Sequence, residues 1–95
     1  MSITVHIPTP LRRLTGGLAV VEVDAKDIGQ LIERLDAAHP GLKTRLCNAS
    51  GRLRRFVSVL VDGQDAHHLD GLQTPLEAGA QISILPSVIA QRRTA

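Results

Sequence analysis

One segment of the chain has the period of an amphipathic helix, and this segment most limits what the chain can fold into. Its apolar residues fall at positions i, i+3, i+4 and i+7, and they are Ile28, Leu31, Ile32 and Leu35. Asp27 can cap the first turn, with Gln30 three residues later as in a capping box, and Pro40-Gly41 ends the segment. A chain of 95 residues allows one domain. The remaining segments must therefore supply the surface that buries this stripe.

The segments on either side of the helix have the two-residue period of strands. Predicted strands occupy residues 3–7, 18–23, 56–61, 66–69 and 81–85, the fourth of them a short edge strand. Gly16-Gly17 joins the first two strands as a hairpin, and Asp62-Gly63 is a tight turn after the third. Pro8 ends the first strand because proline has no amide hydrogen for the ladder.

The order of these elements is strand, strand, helix, strand, short strand, strand. Because a single helix covers only one face of a sheet, this order predicts an α+β fold, with a mixed sheet of four to five strands and one main helix. The first and last strands are expected to lie side by side and parallel at the centre of the sheet. This arrangement is the β-grasp, or ubiquitin-like, fold.

The composition excludes several classes of function. The chain has one Phe and neither Trp nor Tyr, so stacking of bases on aromatic side chains is excluded as a main mode of binding nucleic acid. No apolar run approaches the roughly 20 residues that span a bilayer, and the N-terminus lacks a signal-peptide pattern, so we expect no membrane association. The single cysteine, Cys47, cannot form an internal disulfide and indicates a reducing, cytoplasmic compartment.

Basic residues are concentrated in one part of the chain, where no acidic residue occurs between Asp36 and Asp62. That stretch contains Lys43, Arg45, Arg52, Arg54 and Arg55. A basic patch at Arg52, Arg54 and Arg55 favours an anionic partner: an acidic protein surface, a phosphate ligand or nucleic acid. The alternative is a solvated basic surface without specificity.

The sequence contains no catalytic or metal-binding pattern. Its histidines are His6, His39, His67 and His68. They lack the cysteine or acidic partners at the spacing of a zinc site, so we expect no metal. Ser50 and Ser58 have no His–acid partners legible in the sequence, and Cys47 is expected to be a buried or idle thiol. The chain is therefore predicted not to be an enzyme and to bind no cofactor.

Four ordered segments carry a resemblance to a known family. They are residues 7–17 (IPTPLRRLTGG), 55–61 (RFVSVLV), 71–76 (GLQTPL) and 79–88 (GAQISILPSV). Together they resemble the MoaD/ThiS sulfur-carrier family, and within it the CysO-like branch tied to cysteine synthesis. The resemblance covers residues 2–89, so we expect a sulfur-carrier-like domain at 1–89 and a flexible polar tail at 90–95.

The resemblance implies a small non-enzymatic carrier with a partner protein. In the family the tail ends in Gly-Gly, a partner enzyme adenylates the terminal carboxylate with ATP, and sulfur then replaces AMP to leave a thiocarboxylate. The sulfur serves molybdopterin, thiamine or cysteine synthesis, so the implied partner is an adenylating enzyme or a sulfur-using synthase. Docking is expected through the sheet face opposite the helix and through the segment that contains Leu85, Pro86, Val88 and Ile89.

The sequence departs from the family where the chemistry takes place. Ala90 and Gln91 stand at the position of the Gly-Gly pair, and no glycine follows Gly79. We therefore expect that the chain, as written, is not thiocarboxylated. The alternative function is a degenerate partner-binding or regulatory β-grasp module. A basic nucleic-acid-binding module using Arg52, Arg54 and Arg55 is less favoured, because aromatic residues are nearly absent.

Overall fold

A computed structural model describes residues 2–54 and 57–85 of the chain, and within these residues a long helix packs on one face of a five-stranded sheet. The strands are β1 (Ile3–His6), β2 (Val20–Val23), β3 (Ser58–Val61), β4 (Gln64–Asp65) and β5 (Gln81–Leu85). The helices are α1 (Ile28–Ala38) and α2 (Leu42–Leu46), and 3₁₀ turns occupy Thr9–Thr15, Ala66–His68 and Gly71–Gln73. The predicted α+β, β-grasp fold is confirmed.

The two central strands are parallel, as the element order predicts. The sheet order is β2-β1-β5-β3-β4, with β1 parallel to β5 and the other neighbouring strands antiparallel. The register pairs His6 with Ser83 and Ser58 with Leu85. β5 therefore finishes at the same end of the sheet as β1. We call this the exit end, formed by His6, Ser58 and Leu85, and we call the opposite end, formed by Ile3, Val61 and Gln81, the far end.

The core lies between the sheet and α1, and it is aliphatic. The predicted stripe of α1 is buried in full, with Ile28, Leu31, Ile32 and Leu35 at most 2% exposed. The sheet contributes the alternate residues Ile3, Val5, Val59, Ile82 and Ile84, all at most 3% exposed. The two-residue and 3.6-residue periods thus face each other across one interface.

The N-terminus of α1 is capped as predicted, with one difference. Asp27 is the N-cap, and its Oδ1 accepts a hydrogen bond of 2.7 Å from the backbone N–H of Gln30. The Gln30 side chain does not return to the Asp27 N–H, as a capping box requires. Its Oε1 accepts instead from the N–H of Lys26, at 2.9 Å. Both bonds hold the entry into α1.

The predicted edge strand at 66–69 is wrong. The edge strand β4 lies earlier, at Gln64–Asp65, and Ala66–His68 forms a 3₁₀ turn. The carboxylate of Asp65 accepts a hydrogen bond of 2.9 Å from the His67 N–H, which caps this turn. The N–H of Leu69 closes it by donating to the carbonyl of Ala66 at 3.0 Å. Local capping therefore prevails over strand formation here.

Three other segments differ in extent from their predicted bounds. The first strand ends at His6, one residue before its predicted end. The second strand begins at Val20 instead of residue 18, because the Thr15 hydroxyl donates to the Leu18 carbonyl at 2.9 Å and keeps Leu18 in the turn. The third strand begins at Ser58, and Phe56 lies outside the described residues.

The turn between β3 and β4 has the conformation that its sequence predicts. Asp62 has a φ of 50° and Gly63 a φ of 91°, so both central residues are in the left-handed region. A two-residue hairpin turn requires this conformation, which asparagine, aspartate and glycine adopt most readily.

Among the described residues, none of the helices has the length and hydrophobicity needed to cross a bilayer.

Candidate functional site

In the part of the chain that the structure describes, the sheet face opposite α1 is exposed, and it is the surface on which docking was expected. Strand alternation directs every second side chain away from the helix. On β1, β2, β3 and β5 these side chains belong to Thr4, His6, Val20, Glu22, Ser58, Leu60, Gln81, Ser83 and Leu85, and we call this surface the open face. Each of them is exposed or half-buried.

The apolar part of the open face adjoins the exit end. Leu60 pairs with Ser83 and Leu85 pairs with Ser58, so the two leucines are diagonal neighbours on adjacent strands. Leu85 is 41% exposed, and Val20, beside His6 on the edge strand, is 46% exposed. Exposed aliphatic side chains on a rigid sheet form a surface that a protein partner can cover.

The polar part of the open face extends from His6 at the exit end to Glu22 and Gln81 toward the far end, and it is internally hydrogen-bonded. Nε2 of His6 lies 2.8 Å from Oε1 of Gln81 on the neighbouring strand. Glu22 accepts hydrogen bonds from the hydroxyls of Thr4, at 3.3 Å, and of Ser2. These contacts hold the polar side chains, and in the strand register His6 and Ser83 separate Val20 from Leu60 and Leu85.

Of the residues predicted for partner binding near the C-terminus, the structure places Leu85. It ends β5 at the exit end of the sheet and belongs to the open face. Pro86, Val88 and Ile89 lie outside the described residues, as do Ala90 and Gln91 at the position of the family's Gly-Gly pair. The role of this segment stays a prediction.

The predicted basic patch lies in the loop between α2 and β3. Arg52 and Arg54 are both exposed, and Arg55 lies outside the described residues. Nε and Nη2 of Arg54 donate to the carbonyl of Thr44 in α2, at 3.1 and 2.9 Å. Lys43 forms an ion pair with Glu33 of α1. Arg54 is thus held against α2. The hydrogen bond that Lys43 donates to Glu33 raises the pKa of the Lys43 ammonium group.

Two features of the site were missed by the sequence interpretation. The first is Leu60, which belongs to the open face as a diagonal neighbour of Leu85. The alternation of residues 56–61 was the signal for it, because this alternation directs Leu60 to the face opposite that of the buried Val59. Arg12 lies at the exit end, where its Nε donates to the carbonyl of Ile7 at 3.0 Å. No local pattern in the sequence identifies that contact, because it depends on the 3₁₀ turn that follows β1.

Cys47 is a buried thiol without the features of a nucleophile. Its side chain is 4% exposed, at the end of α2. Burial raises the pKa of the thiol, and the opposing effect of the Lys43 and Arg54 cations is smaller. A raised pKa lowers the thiolate fraction and hence the reactivity. The expected buried thiol is confirmed.

The histidines are spread over the described residues without forming a metal centre. Nε2 of His67 lies 2.9 Å from the carbonyl oxygen of Val57, and His6 contacts Gln81. Within the described part of the chain, no group of three or more His, Cys, Asp or Glu side chains gathers in a position to hold a metal ion.

Comparison with known proteins identifies the family of this chain. The sequence model of the ThiS family matches residues 5–89, which include the second half of β1 and every later strand and helix through β5. The chain belongs to the ThiS family. This finding confirms the resemblance to the MoaD/ThiS group on which the expected carrier function rests.

Curated relatives of this ThiS family protein include carriers of the CysO type. The sulfur carrier protein CysO of Mycobacterium tuberculosis is 39% identical over 90 residues, which cover 93% of this chain and 97% of CysO. Small archaeal modifier protein 3 of Haloferax volcanii is 35% identical over 65 residues, which cover 68% of this chain and 70% of that protein. The similarity to CysO supports the predicted placement in the CysO-like branch.

Solved structures of relatives have the same fold. The crystal structure of Mycobacterium tuberculosis CysO superposes with a TM-score of 0.85 at 38% identity, covering 90% of this chain and 98% of that one. CysO in the BexX/CysO complex of Amycolatopsis orientalis gives a TM-score of 0.85 at 35% identity, covering 90% of this chain and 94% of the matched chain. That relative has therefore been crystallised with a protein partner.

Proposed function

We propose that this ThiS family protein is a small, non-enzymatic protein of the sulfur-carrier type that docks on an adenylating enzyme. The observation that carries the proposal is the family match over residues 5–89, which begins within β1 and ends beyond β5, the strand that leads to the C-terminus. Relatives at 39% and 35% identity bear the names of a sulfur carrier and a modifier protein. These relatives favour a carrier over a regulatory or nucleic-acid-binding module.

The open face is the proposed docking surface for this enzyme. Its apolar residues are the neighbours Leu60 and Leu85 on β3 and β5, and Val20 on the edge strand β2. Leu85 ends β5, so a partner that covers Leu60 and Leu85 is placed next to the segment on which it acts. The proposed complex is with a protein, as in the crystallised complex of the relative from Amycolatopsis orientalis.

The carrier chemistry itself is proposed to be blocked at Ala90 and Gln91. In the family's reaction the terminal carboxylate attacks ATP and releases pyrophosphate, and sulfide then displaces AMP from the acyl-adenylate. Glycine leaves φ free and places no Cβ beside a reacting carbonyl, whereas Ala90 and Gln91 both carry side chains at the position of the family's Gly-Gly pair. The chain is proposed to keep the docking scaffold without carrying sulfur. It is proposed to act in the cytoplasm, where Cys47 stays reduced.

Binding to an adenylating enzyme of this family tests the docking proposal. Leu85→Glu places a charge in the proposed interface and should weaken binding at least tenfold, because truncated or charged interface anchors typically cost more than about 1.4 kcal/mol. Leu69→Glu is the matched control, since Leu69 is 39% exposed against 41% for Leu85 but lies outside the sheet, after the 3₁₀ turn at 66–68.

The affinity is measured by titration calorimetry, with urea melts to show that both variants remain folded. We expect Leu69→Glu to bind as the unaltered chain does. Absence of binding by the unaltered chain, or equal loss in both variants, would overturn the docking proposal.

A further inference from the structure

Two arginines, Arg12 and Arg54, lie in the segments next to the two strands that flank β5. On the β1 side, Arg12 follows the exit end and its Nε donates to the carbonyl of Ile7 at 3.0 Å. On the β3 side, the carbonyl of Arg54 accepts from the N–H of Val57 at 3.1 Å, which places Arg54 just ahead of β3. Since β5 lies between β1 and β3, the segments that carry these two arginines flank the strand at whose end the described chain stops, at Leu85.

Among the residues that the structure describes, both guanidinium groups are held by backbone carbonyls and keep N–H donors that these bonds do not use. Arg12 uses one N–H on Ile7, and Arg54 uses Nε and Nη2 on Thr44. A guanidinium has five N–H donors, so each group keeps donors for a further acceptor. Because the side chains are already ordered, a partner would lose less conformational entropy in binding them than in binding free arginines.

The neighbourhood of these arginines is positively charged. Arg13 in the 3₁₀ turn and Arg45 in α2 are both exposed. Two acidic residues on α1 are also close, but Glu33 forms an ion pair with Lys43, and the Asp36 carboxylate accepts from the N–H groups of Gly41 and Lys43. We call the four arginines Arg12, Arg13, Arg45 and Arg54 the basic end.

The far end of the sheet has the opposite charge. Asp24 follows β2 at this end, and Asp62 follows β3, where its carboxylate accepts from the Gln81 N–H at 3.0 Å. Glu77 lies in the turn before β5, next to the start of β1. Lys26, ahead of α1, is a cation of this region. The charge of the molecule is therefore separated along the direction of the central strands.

We propose that the basic end binds an acidic protein surface around the cleft that receives the C-terminal segment, and that the charge separation orients the chain as it approaches. The proposal rests on the proposed function and adds the chemistry of the partner. An acidic rim attracts the basic end and repels the far end, so encounters with the C-terminal segment leading are favoured. Complementary charges of this kind raise association rates about 10- to 1,000-fold at low salt.

The test measures association and dissociation rates with the same adenylating enzyme by stopped-flow fluorescence. Arg13→Glu and Arg45→Glu each reverse one charge at the basic end. Lys26→Glu is the matched control, because it changes the net charge by the same amount as either arginine variant but does so at the far end. We expect either arginine variant to associate about tenfold more slowly at low salt, with a dissociation rate changed less than twofold.

Salt and a second ligand complete the test. At about 1 M salt, where the Debye length is about 3 Å, the association rates of all the chains should converge. Association of the arginine variants at the rate of Lys26→Glu would overturn the inference while Leu85→Glu still reports docking. Failure of the unaltered chain to bind the enzyme overturns both proposals. Tighter binding to a DNA duplex than to the enzyme would also overturn the inference.

Discussion

Single side chains hold the ends of segments in this protein through hydrogen bonds to the backbone. Asp27 caps α1 by accepting from the Gln30 N–H, and Arg54 holds its loop to the last turn of α2 through the Thr44 carbonyl. The first contact is local and is visible in the sequence as a cap residue. The second joins residues ten positions apart and depends on how the loop folds back.

Removal of the cap should destabilise the protein measurably. Asp27→Ala leaves the Gln30 N–H without its acceptor, and we expect a loss of about 1 kcal/mol in the free energy of unfolding. Glu77→Ala is the control, since Glu77 is an exposed acid and its removal should change stability by less than about 0.5 kcal/mol. Urea denaturation measures both. Equal stability of the two variants would show that the cap does not stabilise α1.

Cys47 should react slowly in the folded protein, with a dependence on pH that follows from its burial. Because burial raises the pKa of the thiol, the folded state has less thiolate than the unfolded state above pH about 8.5. The unfolded state loses its proton first as the pH rises, so the contribution of Cys47 to stability decreases above that pH. Alkylation by iodoacetamide, compared with and without urea, checks this. Equal rates in both conditions would contradict the account.

At the scale of elements, the structure shows which kinds of pattern determine a segment on their own. α1 was predictable because one stripe must be buried, and β5 was predictable because its alternate residues Ile82 and Ile84 enter the same core. The turn at 66–68 was not, since the Asp65 carboxylate competes with strand formation through one hydrogen bond. The helix α2 was not predicted as a helix, because five residues are too short for a clear period.

The α1 stripe should be essential for folding stability. Leu35 is fully buried, at 0% exposed, so Leu35→Ala leaves a cavity in the core and should cost about 2–5 kcal/mol. Arg34→Ala, on the exposed side of the same helix, should change the free energy of unfolding by less than about 0.5 kcal/mol. Urea melts monitored by circular dichroism measure the free energy of unfolding of both variants. A Leu35→Ala variant as stable as the unaltered chain would place α1 off the core.

At the scale of the whole molecule, the β-grasp sheet brings together what the sequence keeps apart. The parallel pairing of β1 with β5 puts His6 beside Ser83, and it puts Arg12 and Arg54 on either side of the exit end. The fold itself was predictable from the order of elements. The composition of the open face was only partly predictable, since the alternation of β3 shows that Leu60 faces away from the core, whereas its position beside Leu85 depends on the register between strands.

The measurement that tests the central claim most directly is the mass of the chain after incubation with ATP, sulfide and an adenylating enzyme of this family. Three chains are compared: the unaltered chain, a chain ending at residue 91, and that shortened chain with Ala90→Gly and Gln91→Gly. The shortened chain without substitutions separates the effect of length from the effect of the glycines. Mass spectrometry detects a thiocarboxylate as the replacement of one oxygen by sulfur.

We predict no thiocarboxylate on the unaltered chain or on the shortened chain with Ala90 and Gln91, and a partial yield on the diglycine variant, whose open face is unchanged. An inert diglycine variant would show that the scaffold no longer docks productively. A thiocarboxylate on the unaltered chain would contradict the claim that Ala90 and Gln91 block the carrier chemistry.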